Sequence, residues 1–218
     1  MLNFEQARLN MIQQQIRPWD VLDPRVLSVL NDVHREDFVP AAYRSLAFAD
    51  LQIPIGHDQV MMQPNVEARL LQALELSAKE RVLEIGTGSG YMTALLAKVA
   101  AHVDTVDIFP DFAEQAEQRL NDHALPNISY SVGDGAMGWH GDGPYDAILI
   151  TGSVPSVPES YPRNLTNNGR LVVVAGRVPI MEALRIQRID DDAWATSSLF
   201  DTCLPPLINA ETSPEFVF

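Results

Sequence analysis

The chain has a single cysteine, Cys203, in 218 residues. That excludes an intrachain disulfide, and no Cys/His group has the spacing of a metal site. Positive charge is scarce as well: 15 Lys and Arg stand against 29 Asp and Glu, a formal net charge of -14. So acidic a surface repels phosphate backbones and anionic lipid, so neither nucleic acid nor a membrane is an expected partner. No apolar run approaches the roughly 18 residues that span a bilayer. The first residues, MLNFEQARLNMIQQQ, carry Glu5 and several amides where a signal peptide has its apolar core. These absences point to a soluble protein of a reducing compartment, the cytoplasm. What is present is ordinary for a globular chain, with 46% apolar and 20% charged residues. The length suits one full core or a core with an appendage. No internal repeat stands out.

The first third reads as helical. Leu9, Ile12 and Ile16 recur at three- and four-residue steps, and Pro18 closes that helix. Asp23-Pro24 suits a second start, with Val26, Leu27, Leu30 and Val33 as its apolar stripe. Residues 35–64 contain Pro40, Pro54, Gly56 and Pro64 and are expected to form a long irregular connection of the kind that binds ligands. Pro64 then opens a helix with Val66, Leu70 and Leu74 inward. From Arg81 the rhythm changes to short apolar runs: 82–85, 103–106, 128–132, 147–150 and 171–174. Helices fall between them, one from Tyr91 to Val99 and one opened by an Asp111/Glu114 capping box. Asn167-Asn168-Gly169 reads as the turn into the last run. Strands alternating with helices imply parallel βαβ units, and ALRIQRI and WATSSLF around Asp190-Asp191-Asp192 suggest a closing antiparallel hairpin.

The strongest feature is Glu84-Ile85-Gly86-Thr87-Gly88-Ser89-Gly90, between a strand and a helix. Glycines there let a ligand approach the backbone beside exposed helix N–H groups. The dinucleotide fingerprint is G-x-G-x-x-G, and here the third glycine comes one residue early. Glu84 just before the loop is a poor neighbour for pyrophosphate and suits a cation. S-adenosylmethionine carries a sulfonium and an ammonium and no phosphate. Asp107 ends the second strand, where a carboxylate can accept two ribose hydroxyls. Asp134, within Gly133-Asp134-Gly135 after the third strand, can accept from an adenine amino group. Any one of these alone is an ordinary turn or helix cap. All three fall at the C-terminal ends of successive strands, where open α/β sheets bind ligands. Ile108, beside Asp107, and Thr87, within the loop, join the expected cofactor wall.

Beyond these residues, VLEIGTGSGYMTALLA, VGDGAMGW, YDAILITG and NNGRLVVVAG resemble the protein-L-isoaspartate (D-aspartate) O-methyltransferase family, as do REDFVPAAYRSLAFADLQIPIG and CLPPL (203–207). The resemblance runs from Val26 to Leu207. It implies an α/β, Rossmann-like class I S-adenosylmethionine-dependent methyltransferase fold: a mainly parallel seven-stranded sheet with an N-terminal helical cap. Residues 1–64 would form the helices and acceptor loop, and 65–218 the cofactor domain. It implies S-adenosylmethionine as donor, S-adenosylhomocysteine as product, and esterification of isoaspartyl carboxylates in damaged proteins. Partners would be flexible polypeptide or a small carboxylate. Ile55, Gly56, Val60, Met61, Met62, Leu204 and Pro205 would face the acceptor.

The chain departs from the family at one place. The family carries Thr-x-Ser before a proline, and its serine sits at the acceptor carboxylate. Here Val60 and Met62 occupy the two hydroxyl positions of Gln59–Pro64, so no catalytic residue is assigned. A carboxylate with pKa about 3.9 is already ionised at pH 7, so the serine orients rather than deprotonates. Its loss costs roughly 1.5–3 kcal/mol, one to two decades in rate. The Val-Met-Met wall leaves open a different small-molecule or peptide acceptor, or a non-catalytic homologue that binds S-adenosylmethionine. His57 and Asp58 read as a solvated loop or an orienting pair. His34, His102, His123 and His140 show no constellation, nor do Ser89 and Ser153. Trp139 and Tyr91 read as packing near the cofactor crevice.

Overall fold

The computed structural model describes residues 3–139 and 141–210; His140 lies outside them. Helix α1 (Phe4–Met11) is capped by Asn3, whose side chain accepts the Gln6 N–H at 3.1 Å. It turns Arg8 and Met11 inward, and Arg8 pairs with Glu36 at 2.5 Å. A π-turn over Ile12–Ile16 and a 3-10 turn over Arg17–Trp19 follow. Leu9 is therefore 40% exposed, and the expected stripe begins at Met11, because the Arg8 ion pair sets which face is buried. Asp23 caps α2 (Pro24–Asp32) by accepting the Arg25 N–H at 2.8 Å, and Pro24 needs no donor partner in the first turn.

Residues 35–64 are irregular only in part, at 38–40, 47–52, 57–58 and 62–63, which corrects the expected wholly irregular connection. Two 3-10 turns (Arg35–Asp37 and Ala41–Leu46) lead to a hairpin of β1 (Ile53–Gly56) and β2 (Gln59–Met61). His57 and Asp58 form its two-residue turn, with φ of 49° and 56°, as a type I′ turn requires. Strands of four and three residues are too short to show an alternation, and His-Asp is an unusual pair for this turn.

Helix α3 (Pro64–Leu74) leads into the main sheet. Its strands are β3 (Arg81–Ile85), β4 (His102–Asp107), β5 (Ile128–Val132), β6 (Tyr145–Val154), β7 (Leu165–Arg177), β8 (Ile180–Asp190) and β9 (Ala193–Asp201). The helices are α4 (Tyr91–Val99), α5 (Pro110–Asp122) and α6 (Ser160–Arg163). Spatial order is β5-β4-β3-β6-β7-β8-β9. The first five strands are parallel, and β8 and β9 are antiparallel. The seven-stranded, mainly parallel expectation holds. Asn167-Asn168-Gly169 does not precede β7 but bulges within it: Tyr145 pairs Leu165 while Ala147 pairs Arg170, and Asn168 takes φ 64°.

Alternation along the strands divides the core. Val82, Ala147, Leu149, Val172 and Val174 join the cluster under α2, α3 and α4. Leu83, Ile148, Ile150, Leu171 and Val173 join the cluster on the opposite face with Tyr161. Each of these Val, Leu and Ile side chains contributes about 1.5–3 kcal/mol on burial. The strand order reverses between β3 and β6, which opens a crevice at their C-terminal ends. Among the described residues no helix is long and apolar enough to cross a membrane.

Candidate active site

The crevice is built outward from β3. At Gly86 the chain takes φ +99°, and a Cβ there would lie 2.2 Å from Thr151 Oγ1. That hydroxyl donates towards the Ile85 and Gly86 carbonyls, at 2.9 and 2.7 Å, so β6 clamps the start of the loop. The missing side chain makes the clamp possible. Asp107 ends β4, 6% exposed. Its Oδ2 accepts the Gly88 N–H at 2.8 Å and its Oδ1 the Phe109 N–H at 2.9 Å. Burial raises its pKa, and those two backbone bonds pull the other way. Each oxygen keeps a lone pair for a further donor. A vicinal diol, with two adjacent O–H donors, matches that demand.

Asp134 lies after β5. Its Oδ1 accepts the Ala136 N–H and its Oδ2 the Asn209 side-chain amide, both at 2.9 Å. The flanking glycines are packing sites: a Cβ on Gly133 would meet the Trp139 ring at 2.5 Å, and one on Gly135 would meet Ile85 at 2.6 Å. Tyr161 donates its hydroxyl to the Gly135 carbonyl. Trp139 thus packs beside the crevice as expected. Tyr91, the first residue of α4, is buried against Phe38 and the Arg35 guanidinium, also as a packing residue but behind the cleft wall.

Gly86, Thr87, Gly88, Asp107, Ile108, Gly133, Asp134 and Gly135 all line one cleft enclosing about 900 Å³ of space continuous with solvent. Val60, Met61, Met62, Leu204 and Pro205 line it too. Four expected residues do not. Gly90 caps α4 and faces α5, where a Cβ on it would lie 3.1 Å from Ala116 Cβ. Gly56 faces the Phe112 ring, and Ile55 reaches only the edge of the loop, 3.1 Å from where a Gly88 Cβ would be.

Glu84 is the fourth, and its placement corrects the cation-facing expectation. Its side chain points under α4 with no exposure, because β3 alternation sends position 84 to the face opposite Ile85. Its Oε2 accepts hydroxyls from Thr93 at 2.5 Å and Thr105 at 2.7 Å, and its Oε1 has no partner. Burial pushes its pKa up to about 8, so near neutrality it is mostly the uncharged acid.

Both acceptor-side segments are tied down. Ser153 on β6 donates its N–H to Pro205 O (2.9 Å) and its hydroxyl to Leu204 O (2.8 Å), and its carbonyl accepts the Leu207 N–H (2.9 Å). Gln52 donates to Cys203 O at 3.0 Å, linking the late segment to the hairpin. At the hairpin tip His57 pairs with Asp111 at 2.8 Å, not with Asp58, and stacks on Phe109 with centroids 4.1 Å apart. Asp111, expected in a capping box, is thereby held low by the His57 contact, and α5 has no side-chain cap. Glu67, Met92 and Phe112 also line the cleft. Nothing local in the sequence singles them out, since their roles depend on α3, α4 and α5 meeting the hairpin. Among the described residues no acidic, histidine and cysteine group could hold a metal.

The glycine loop, a diol-ready Asp107 and an amine-ready Asp134 on one wall fit an adenosyl group without phosphate. A family model described as protein-L-isoaspartate (D-aspartate) O-methyltransferase matches residues 6–211. The chain belongs to this family. A curated protein-L-isoaspartate O-methyltransferase of Trichlorobacter lovleyi is 39% identical over 211 residues, 97% of each chain. One from Syntrophus aciditrophicus is 38% identical over 192 residues, 88% of each. Among solved structures, a protein-L-isoaspartate O-methyltransferase superposes with a TM-score of 0.78 at 24% identity, over 91% of this chain and 65% of that one. A putative Plasmodium falciparum relative in complex with S-adenosyl-L-homocysteine gives 0.76 at 18% identity, over 95% and 99%. These two likenesses concern the fold. The methyl donor of the family is S-adenosylmethionine, and this chain is a methyltransferase of that kind.

Proposed function

We propose that this enzyme esterifies isoaspartyl carboxylates in flexible polypeptide, with the cofactor wall on one side of the cleft and the acceptor segments on the other. The observation that carries the reading is that the two sets meet in one cleft: Asp107 and Asp134 with Gly86 and Gly88, and facing hairpin residues with Leu204 and Pro205. S-adenosylmethionine supplies a methyl group made electrophilic by its sulfonium. Asp107 accepts the ribose hydroxyls, Asp134 the adenine amine, and the Gly86–Gly88 backbone borders the amino-acid end. The acceptor carboxylate is its own nucleophile, so the protein's task is to hold one oxygen in line and exclude water. Residues up to 64 supply most of the acceptor side and the remainder the cofactor side. The compartment that fits is the cytoplasm.

Transfer of labelled methyl from S-adenosylmethionine to an isoaspartyl peptide, with its normal aspartyl counterpart and Asp107→Ala as controls, tests the reading. Turnover indistinguishable from the Asp107 variant rejects it. One observation favours a second acceptor class: Val60 and Met62 put apolar surface where the family has hydroxyls. Such a wall suits a small-molecule or peptide acceptor with less charge.

A further inference from the structure

One acidic side chain in the cleft has no part in the roles above. Glu67 stands in the first turn of α3, 2% exposed, and lines the cleft with Met62 and Met92. One of its carboxyl oxygens pairs with Arg35, and no described group bonds the other. Arg35 is fully buried. It also donates through Nε to Ala47 O at 2.8 Å and through Nη2 to Met62 O at 2.6 Å. The guanidinium therefore ties Glu67 to the residue standing where the family carries its acceptor serine.

Glu67 is thus the counter-ion of a buried guanidinium. An acceptor carboxylate drawn to Met62 brings a second negative charge to the same cation. Two carboxylates sharing one site cannot both stay ionised cheaply, and one takes up a proton. If Glu67 is the one, the acceptor carboxylate balances Arg35, and the Glu67 acid presents an O–H donor. Burial outweighs the Arg35 attraction and already pushes Glu67 up to about 7. Tyr91 of α4 packs against the Arg35 guanidinium, its phenol raised by burial, and Asp107 and Asp134 line the same cleft as Glu67.

We propose that Glu67, as the neutral acid, donates the hydrogen bond that orients the acceptor carboxylate, in place of the hydroxyl absent at Met62. This rests on the isoaspartyl reading. The proton comes from solvent on acceptor binding and returns on release; none moves in the methyl-transfer step.

Calorimetry of an isoaspartyl hexapeptide binding to enzyme loaded with S-adenosylhomocysteine, in two buffers of different ionisation enthalpy, tests it. Wild type takes up close to one proton per peptide at pH 8 and little at pH 6. Its KM for methylation rises by about tenfold per pH unit above 7. Glu67→Gln keeps a donor, so it removes the uptake, flattens KM from pH 6 to 9 and holds kcat within about tenfold. Glu67→Leu raises KM at pH 6 by about tenfold or more while S-adenosylhomocysteine still binds. Peptide that binds and is methylated with no proton uptake at pH 8 overturns the Glu67 role alone, and needs no variant to fold. A leucine variant with wild-type KM, or a glutamine variant that abolishes turnover as loss of a base would, does the same. Wild type that binds isoaspartyl and aspartyl peptide alike, with cofactor binding intact, instead overturns the acceptor reading and this inference with it.

Discussion

Replacing Glu84 with glutamine separates the sequence expectation from the structural one. Glu84 is fully buried, bonded by Thr93 and Thr105 through one oxygen and unpartnered at the other. Its pKa rises from 4.5 to about 8. A carboxyl raised in the folded state favours folding below its unfolded value and withdraws that support as pH climbs towards the folded value. At pH 7 the solution stands about 2.5 pH units above the unfolded value, worth about 3 kcal/mol. Glutamine mimics the neutral acid, accepts the same two hydroxyls and leaves the same unpartnered position. Urea unfolding from pH 5 to 8 is therefore expected to show wild type losing stability relative to Glu84→Gln by about 3 kcal/mol at pH 7. The two converge towards pH 4.5. Glu67 has a similar shift in both proteins and cancels in the difference. S-adenosylhomocysteine affinity should change by less than about threefold, since Glu84 does not line the cleft. Parallel stability curves would refute the buried-acid argument. A loss of affinity of about a hundredfold would return Glu84 to the cofactor site.

Three other perturbations draw on the same geometry. Asp107→Ala removes both proposed ribose acceptors and the Gly88 and Phe109 anchors; at about 1.5–3 kcal/mol per bond, S-adenosylhomocysteine Kd measured by calorimetry should rise two to four decades. Added to Glu67→Leu, which removes the Glu67 donor, the Val60→Thr and Met62→Ser changes should raise kcat/KM on an isoaspartyl peptide by about one to two decades. Met62 is only 6% exposed, so the same two changes should cost about 2–5 kcal/mol of stability; unchanged kcat/KM in a folded variant would point to another acceptor. Arg170, 5% exposed, donates to the Leu74 and Asp146 carbonyls and to Glu80. Arg170→Met should cost about 3–5 kcal/mol in denaturant unfolding. Glu80 is held below the usual carboxylate range by Arg170 and Ser77 against a burial penalty. Its support is present above the ordinary carboxylate pKa and lost as pH falls through the depressed value, so the variant should lose its disadvantage in acid.

The parts legible in the sequence were those with a short-range signature. Parallel strands appeared as apolar runs, and Asp23-Pro24 marked α2 because capping is a contact between near neighbours. The β1–β2 hairpin was hidden because its strands are too short to alternate visibly. Leu9 misled because an ion pair between Arg8 and Glu36, 28 residues apart, rotates α1. Asp111 misled because its partner is His57 at the hairpin tip and not its own helix.

Composition and local pattern by themselves determined the fold class, the cofactor loop and the two aspartates at strand ends, because backbone geometry at a parallel strand's C-terminus demands particular residue types at fixed steps. Tertiary structure alone decided which acidic groups line the cleft. Strand alternation buried Glu84 behind the sheet, while the packing of α3 against the 35–37 turn brought Glu67 to the cleft wall with Arg35 buried behind it. Charge in a folded chain acts through space and burial, and neither can be read from distance along the sequence.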